Sequence, residues 1–243
     1  MKGSVIWRRL SHRVDGRLQH RVMRVALILM MQVPLLLQGQ VVFAEGELST
    51  LLLPEEQETN LALEAGPEQI RGQATVYVFR SKGYEKVRNG ANGFTCLVNR
   101  DGNQRGDNDL KPTCWDPEGS RTIVPVMLRV GELIAARASA EEIKRDIDAG
   151  FSDGRFSSPR RTGIAYMLKG DLQYDPKAGR IVNTRFPPHY MLYAPGVTNK
   201  DIGTNLKPSG DGPALPSVYS GYSGGSHTSY IIVLAMTDRS HSH

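Results

Sequence analysis

Between residues 73 and 98 the apolar positions come in short runs broken by glycine and asparagine. Along Gln73 to Phe79, Thr75, Tyr77 and Phe79 share one face and Ala74, Val76 and Val78 the other. Both faces are largely apolar, which predicts a strand covered on both sides. Gly83 turns the chain into Tyr84–Val87, and Asn89-Gly-Ala-Asn-Gly93 turns it into Phe94–Val98. Short strands with such turns between them predict an antiparallel meander.

The period changes after Asp116-Pro-Glu-Gly119. Val126, Met127, Val130, Leu133 and Ile134 recur at helical spacing, which predicts a helix over 126–137. Ser139-Ala-Glu-Glu142 then has the form of a capping box, and Ala140, Ile143, Ile147 and Phe151 fall on one face of the helix it starts. Gly150 marks its end. Upstream, Pro54-Glu-Glu opens a further helix that Gly66-Pro67 closes.

The second half reads as strands again. Ile164–Lys169 is one; Arg180–Arg185 returns from the turn Tyr174–Gly179, where Asp171 and Asp175 read as turn chemistry. His189–Tyr193 follows Pro187-Pro188, and Tyr230–Met236 is the last. Residues 196–216 form a long Gly/Pro loop, and 219–228 are rich in Tyr, Ser and Gly. Strands, two helices, then strands predict an α+β fold, an antiparallel or mixed sheet packed against a central pair of helices.

The N-terminus does not fit this pattern. Residues 1–24 carry seven basic side chains and one acid; an apolar run from Val25 to Leu37 follows, and Ala44 offers a small-residue exit. This reads as a secretory signal peptide over 1–44, with a globular domain at 45–238 and a polar tail at 239–243. The competing reading is a retained anchor, since 22–44 is long enough to span a bilayer, although Gln32, Pro34, Gln38 and Gln40 weaken it.

Composition now changes meaning. The 243 residues carry 30 Lys+Arg and 25 Asp+Glu, a formal charge of +5. Removing seven basic and one acidic residue leaves 23 and 24, net −1. The apparent attraction for nucleic acid belongs to the leader, so no nucleic-acid partner is expected, nor membrane insertion after cleavage.

In an oxidising compartment Cys96 and Cys114 predict one disulfide that pins a polar loop over 99–112. The loop's Asp101, Asn103, Asp107 and Asp109 invite a calcium reading. Counting from Asp101, position 5 is Arg105 and position 12 is Pro112, so the EF-hand pattern fails. No metal or cofactor is implied by any spacing.

His189 and His227 are the two histidines of the domain body, each just ahead of a strand. If those strands neighbour each other suitably, the imidazoles meet and offer general acid/base chemistry. Gly221-Tyr-Ser-Gly-Gly225 matches G-x-S-x-G, but a strand follows Ser223 where a nucleophile elbow needs a helix. Ser226 is a second hydroxyl beside His227. Arg160 and Arg161 are candidates for an anionic group. Tyr190, Tyr193 and Tyr222 are candidates for a binding surface. The expectation is an exported, non-catalytic module that binds a small molecule or an envelope component. The alternative is a hydrolase or lyase with His189 or His227 as base and a nearby serine.

Overall fold

A computed structural model describes residues 52–101, 109–175, 177–204, 216–220 and 224–235. The expected signal peptide, the polar tail, Tyr222 and Ser223 lie outside the described residues.

The fold is α+β, with ten strands among the described residues in a mixed sheet. Helix α1 (Glu55–Glu64) and the single turn α2 (Glu68–Arg71) lead into β1 (Thr75–Arg80), β2 (Gly83–Arg88), β3 (Thr95–Asn99) and β4 (Asp109–Trp115). Three helices follow: α3 (Pro117–Thr122), α4 (Val124–Ala135) and α5 (Ala140–Ser152). The chain then returns to the sheet as β5 (Ile164–Met167), β6 (Asp171–Asp175), β7 (Arg180–Phe186), β8 (His189–Tyr193), β9 (Ser217–Tyr219) and β10 (Tyr230–Leu234). The strand order is β2-β1-β3-β4-β5-β8-β10-β9, with β6 also paired to β4 and β7 to β6.

The expected meander is corrected at its third strand, because β3 runs parallel to β1. The turn Asn89–Gly93 crosses over the start of β1 and delivers β3 to its far side. Ala91 and Asn92 donate backbone N–H groups to Gln73 O, and Thr75 N donates to Phe94 O. Gly90 permits this approach: a Cβ there would lie 2.3 Å from the backbone of Gln73, Ala74 and Thr75.

Helices cover both faces of the sheet. On one, Leu61, Ala62 and Ala65 of α1 pack with Val76, Cys96, Val98 and Cys114. On the other, Val126, Met127, Val130 and Ile134 of α4 join Ile143 and Ile147 of α5 over Phe79, Leu97 and Trp115. The capping box of α5 is present: Glu142 N donates to Ser139 Oγ, and Ser139 N to Glu142 Oε2. Helix α3 precedes the helix that the apolar spacing predicts from Val126. Its signals are Asp116 at the N-cap, accepting from Gly119 N, and Pro117 in the first turn.

Cys96 and Cys114 form the disulfide, as directly opposed residues of β3 and β4. The bridge therefore staples two core strands. Of the segment expected to be a solvated loop over 99–112, Asn99 ends β3, Arg100 and Asp101 are buried, and 109–112 belong to β4, while 102–108 lie outside the described residues.

The sheet bends along one line. β4 pairs with β5 through Cys114 and Trp115 and with β6 through Asp109 and Leu110, leaving Lys111–Thr113 between. Pro112, which has no N–H to give a ladder, sits in that gap. At the same level the partner strand breaks between Met167 and Asp171, and the next one at Pro187-Pro188. Gly170 makes the break with φ +69°, and a Cβ there would lie 2.1 Å from Phe186 O. Three strands thus fold over together.

Candidate functional site

The bend opens a cavity of about 220 Å³ on the α4 face of the sheet. Strand β4 sets its chemistry through period-two alternation. Leu110 and Cys114 point to the α1 core, while Asp109, Lys111, Thr113 and Trp115 line the cavity. Strand β8 does the same with His189 and Met191.

One end is polar. Lys111 Nζ lies 3.2 Å from Asp101 Oδ1, and Asp101 N donates to Asn99 Oδ1. Asp109 and Asp171 line the same end, and Arg185 Nε approaches Asp109 Oδ1 at 3.5 Å from outside. The other end is apolar and aromatic. Met127, Met167 and Met191 supply adaptable thioether surface. Trp115 Nε1 donates to Tyr230 OH at 3.1 Å, which gives the buried indole N–H an acceptor. Tyr219 and Thr228 complete the wall.

His189 stands where the ends meet. It is 2% exposed, and Phe186 packs edge-on against its ring at 4.9 Å. Nδ1 lies 2.8 Å from Pro187 O, so Nδ1 carries the proton and donates. Nε2 is then an unprotonated acceptor, with no hydrogen-bond partner among the described residues. Burial holds the pKa below the ordinary histidine value; the bond to Pro187, which favours the charged ring, offsets only part of that shift.

The two histidines do not meet. β8 and β10 are antiparallel, with His189 opposite Leu234 and Tyr193 opposite Tyr230. His227 precedes Tyr230, so the length of β10, about 13 Å at roughly 3.3 Å per residue, separates the two positions. His227 is exposed and stacks on Phe151 at 4.2 Å. Its hydroxyl partner is Ser158, with Oγ 3.2 Å from Nδ1, rather than Ser226.

The other candidates have structural neighbours. Tyr193 is buried and its hydroxyl donates within reach of Asp116 Oδ1 and Ile164 O. Tyr190 packs edge-on against Tyr166 at 5.9 Å. Arg160 donates its backbone N–H to Glu118 Oε1, and Arg161 Nε lies 3.2 Å from Glu118 Oε2. The Arg160 N–H bond first, then Arg121 and Arg161, hold the Glu118 carboxyl below its usual pKa against the opposing effect of burial. Asp175 does the expected turn work, accepting from Lys177 N and Ala178 N, whereas Asp171 faces the cavity.

Sequence reasoning missed Asp101, Asp109, Lys111, Trp115, Asp171 and Tyr230 as a group. The readable signal was the alternation Asp109, Lys111, Thr113, Trp115 within the strand that carries Cys114. A larger depression, about 570 Å³, lies beside Leu133, Arg137 and Arg145, but it is open to solvent and encloses less of any ligand. Among the described residues no cluster of three or more His, Cys, Asp or Glu is arranged to hold a metal ion. No helix among them is long and apolar enough to cross a membrane. Comparison with protein-family models, curated proteins and solved structures finds no match, so the site is read on its own chemistry.

Proposed function

We propose that this chain is an exported module that binds a small molecule in the cavity at the sheet bend. The observation that carries the reading is His189, a 2% exposed imidazole that lines a partly open cavity and whose Nε2 has no hydrogen-bond partner among the described residues. A buried acceptor left without a donor is costly, and a bound ligand supplies one. The mixture of apolar wall and a few convergent polar groups is what small-molecule sites use. Export rests on the leader-like residues 1–44 and agrees with the disulfide. N-terminal sequencing of the exported product tests it; a chain beginning at Glu45 is the expected result.

The binding reading is tested by native mass spectrometry of the protein purified without denaturation. The wild type should carry a bound mass that the cavity-filling variant Ile232→Trp loses while still folded. A bare polypeptide mass for the wild type, together with no thermal shift across a small-molecule panel, would overturn it.

A second reading has one observation in its favour. The tautomer fixed by Pro187 O makes Nε2 a ready general base for a hydrolase or lyase step. Among the described residues, the hydroxyls lining the cavity are those of Thr113, Thr228, Tyr219 and Tyr230. Turnover that rises with pH through the depressed His189 pKa and disappears in His189→Asn would favour this reading over binding alone.

A further inference from the structure

We infer that the cavity takes a small uncharged hydroxyl compound with a ring-sized apolar body, its O–H donating to His189 Nε2. The inference rests on the cavity being a ligand site and adds the class of ligand.

Three observations converge on it. First, the sense of the hydrogen bond. Pro187 O fixes the proton on Nδ1, so the buried Nε2 can only accept. None of the described residues donates to it, so a ligand that covers the ring either brings a donor or strands the acceptor. A carboxylate or phosphate would set an acceptor against an acceptor.

Second, the charges of the lining are already in use. Lys111 Nζ lies 3.2 Å from Asp101 Oδ1, and Arg185 Nε 3.5 Å from Asp109 Oδ1. Asp109, Lys111 and Asp171 each have further interactions within the protein. A cation or an anion would therefore have to compete with protein groups for its counter-charge, and would give up its hydration to enter. An uncharged ligand avoids both costs.

Third, size and wall. About 220 Å³ is below the roughly 300–1,000 Å³ of drug-sized pockets and corresponds to about seven water-sized groups, which is a six-membered ring and one substituent. Met127, Met167, Met191, Trp115, Phe186 and Ile232 supply apolar wall, and thioethers make favourable contacts with aromatic rings. Phenol has this size, an apolar ring and a single strong donor.

The test titrates four probes of one ring size, phenol, toluene, benzylamine and benzoate, calorimetrically into the purified, disulfide-bonded protein at pH 7.5. Phenol should bind about tenfold tighter than toluene, which has its shape but no O–H and would strand Nε2. Benzylamine and benzoate should give no signal. His189→Asn, which keeps a donor for Pro187 O and removes Nε2, should abolish the preference for phenol over toluene. The wild type supplies a readout that needs no substitution: in nitrogen NMR of protein carrying isotope-labelled histidine, the unprotonated Nε2 resonance should move upfield with phenol and stay in place with toluene.

Toluene that matches phenol, an Nε2 resonance that phenol leaves unmoved, or a preference for phenol that survives in His189→Asn would overturn the hydroxyl assignment and leave the cavity as a ligand site. Benzylamine or benzoate binding more tightly than phenol would overturn the uncharged class in the same way. Silence from all four probes would overturn the inference, and a bare polypeptide mass in native mass spectrometry beside it would overturn the ligand site itself.

Discussion

Two buried polar clusters sit near the same end of the sheet, and they differ in how completely they are satisfied. At the end of β3, Arg100 and Glu58 are both fully buried and bind each other twice, Nη1 to Oε1 at 2.8 Å and Nη2 to Oε2 at 2.9 Å. Phe79 N donates to the same carboxylate, Arg100 Nη1 also donates to Val98 O, and the guanidinium lies 4.9 Å from the Phe79 ring. Every partner is protein, and the cluster clamps α1 to the sheet. In the cavity, His189 is almost as deeply buried, yet its Nε2 has no hydrogen-bond partner among the described residues. Saturation marks the first cluster as structure. An acceptor left over among the described residues marks the second as a place for something else.

The largest break in that contrast comes from the saturated side. Glu58→Ala or Arg100→Ala leaves one buried charge uncompensated and should cost about 3–5 kcal/mol. Urea or thermal unfolding would register it as a lost or sharply lowered transition. A double replacement by methionine should recover much of the loss, because the penalty comes from the orphaned charge.

Next is the bridge. Reducing Cys96–Cys114, or replacing both by alanine, frees a loop of sequence separation 18 and should cost about 3 kcal/mol. Because the bridge ties β3 to β4, both clusters should loosen together, which hydrogen exchange on those strands would record. Loss of protection confined to the α1 face would show that the cavity does not depend on it.

His189→Asn should separate function from stability. The asparagine amide can still donate to Pro187 O, so the melting temperature should move by only a few degrees, about what 1 kcal/mol produces in a domain of this size. A fall of many degrees would place His189 with the saturated cluster and remove the contrast.

Acid should act on the same residue with a definite sign. The folded pKa of His189 lies below the unfolded value of about 6.5, so the unfolded chain binds the proton first. Stability present above that value should fall as pH drops from 6.5 toward the folded pKa, and ligand binding that uses Nε2 as an acceptor should fall with it as Nε2 becomes protonated. The groups lining the site with it are Asp101, Asp109, Asp171 and Lys111. His189→Asn should flatten both profiles between pH 5 and 7.

The smallest effect belongs to the exposed pair. Ser158→Ala removes a bond to a half-solvated imidazole and should change stability by less than about 0.5 kcal/mol, with no change in ligand binding. A loss of ligand there would move the functional site to His227.

Much of the architecture could be read from local chemistry. The capping box at Ser139, the apolar spacing of α4 and the turn at Asp175 depend on residues within a few positions of each other, so the chain states them directly. The disulfide was also legible, because two cysteines admit one pairing. The parallel placement of β3 was not, since a short Asn/Gly turn reads as a hairpin until the backbone it crosses is known.

The site shows the same division. Residue chemistry determined that His189 would precede a strand and that the C-terminal half would be rich in tyrosine. Only the tertiary structure decided that Asp101, Lys111, Asp171 and His189 would share one cavity and that His227 would not. The reason is register and the sheet bend. Pro112, Gly170 and Pro187-Pro188 each look like local interruptions, yet they act at one level across three paired strands. The antiparallel pairing of β8 with β10 then sends the two histidines to opposite ends. Long-range pairing, which no short window of sequence contains, sets which side chains meet.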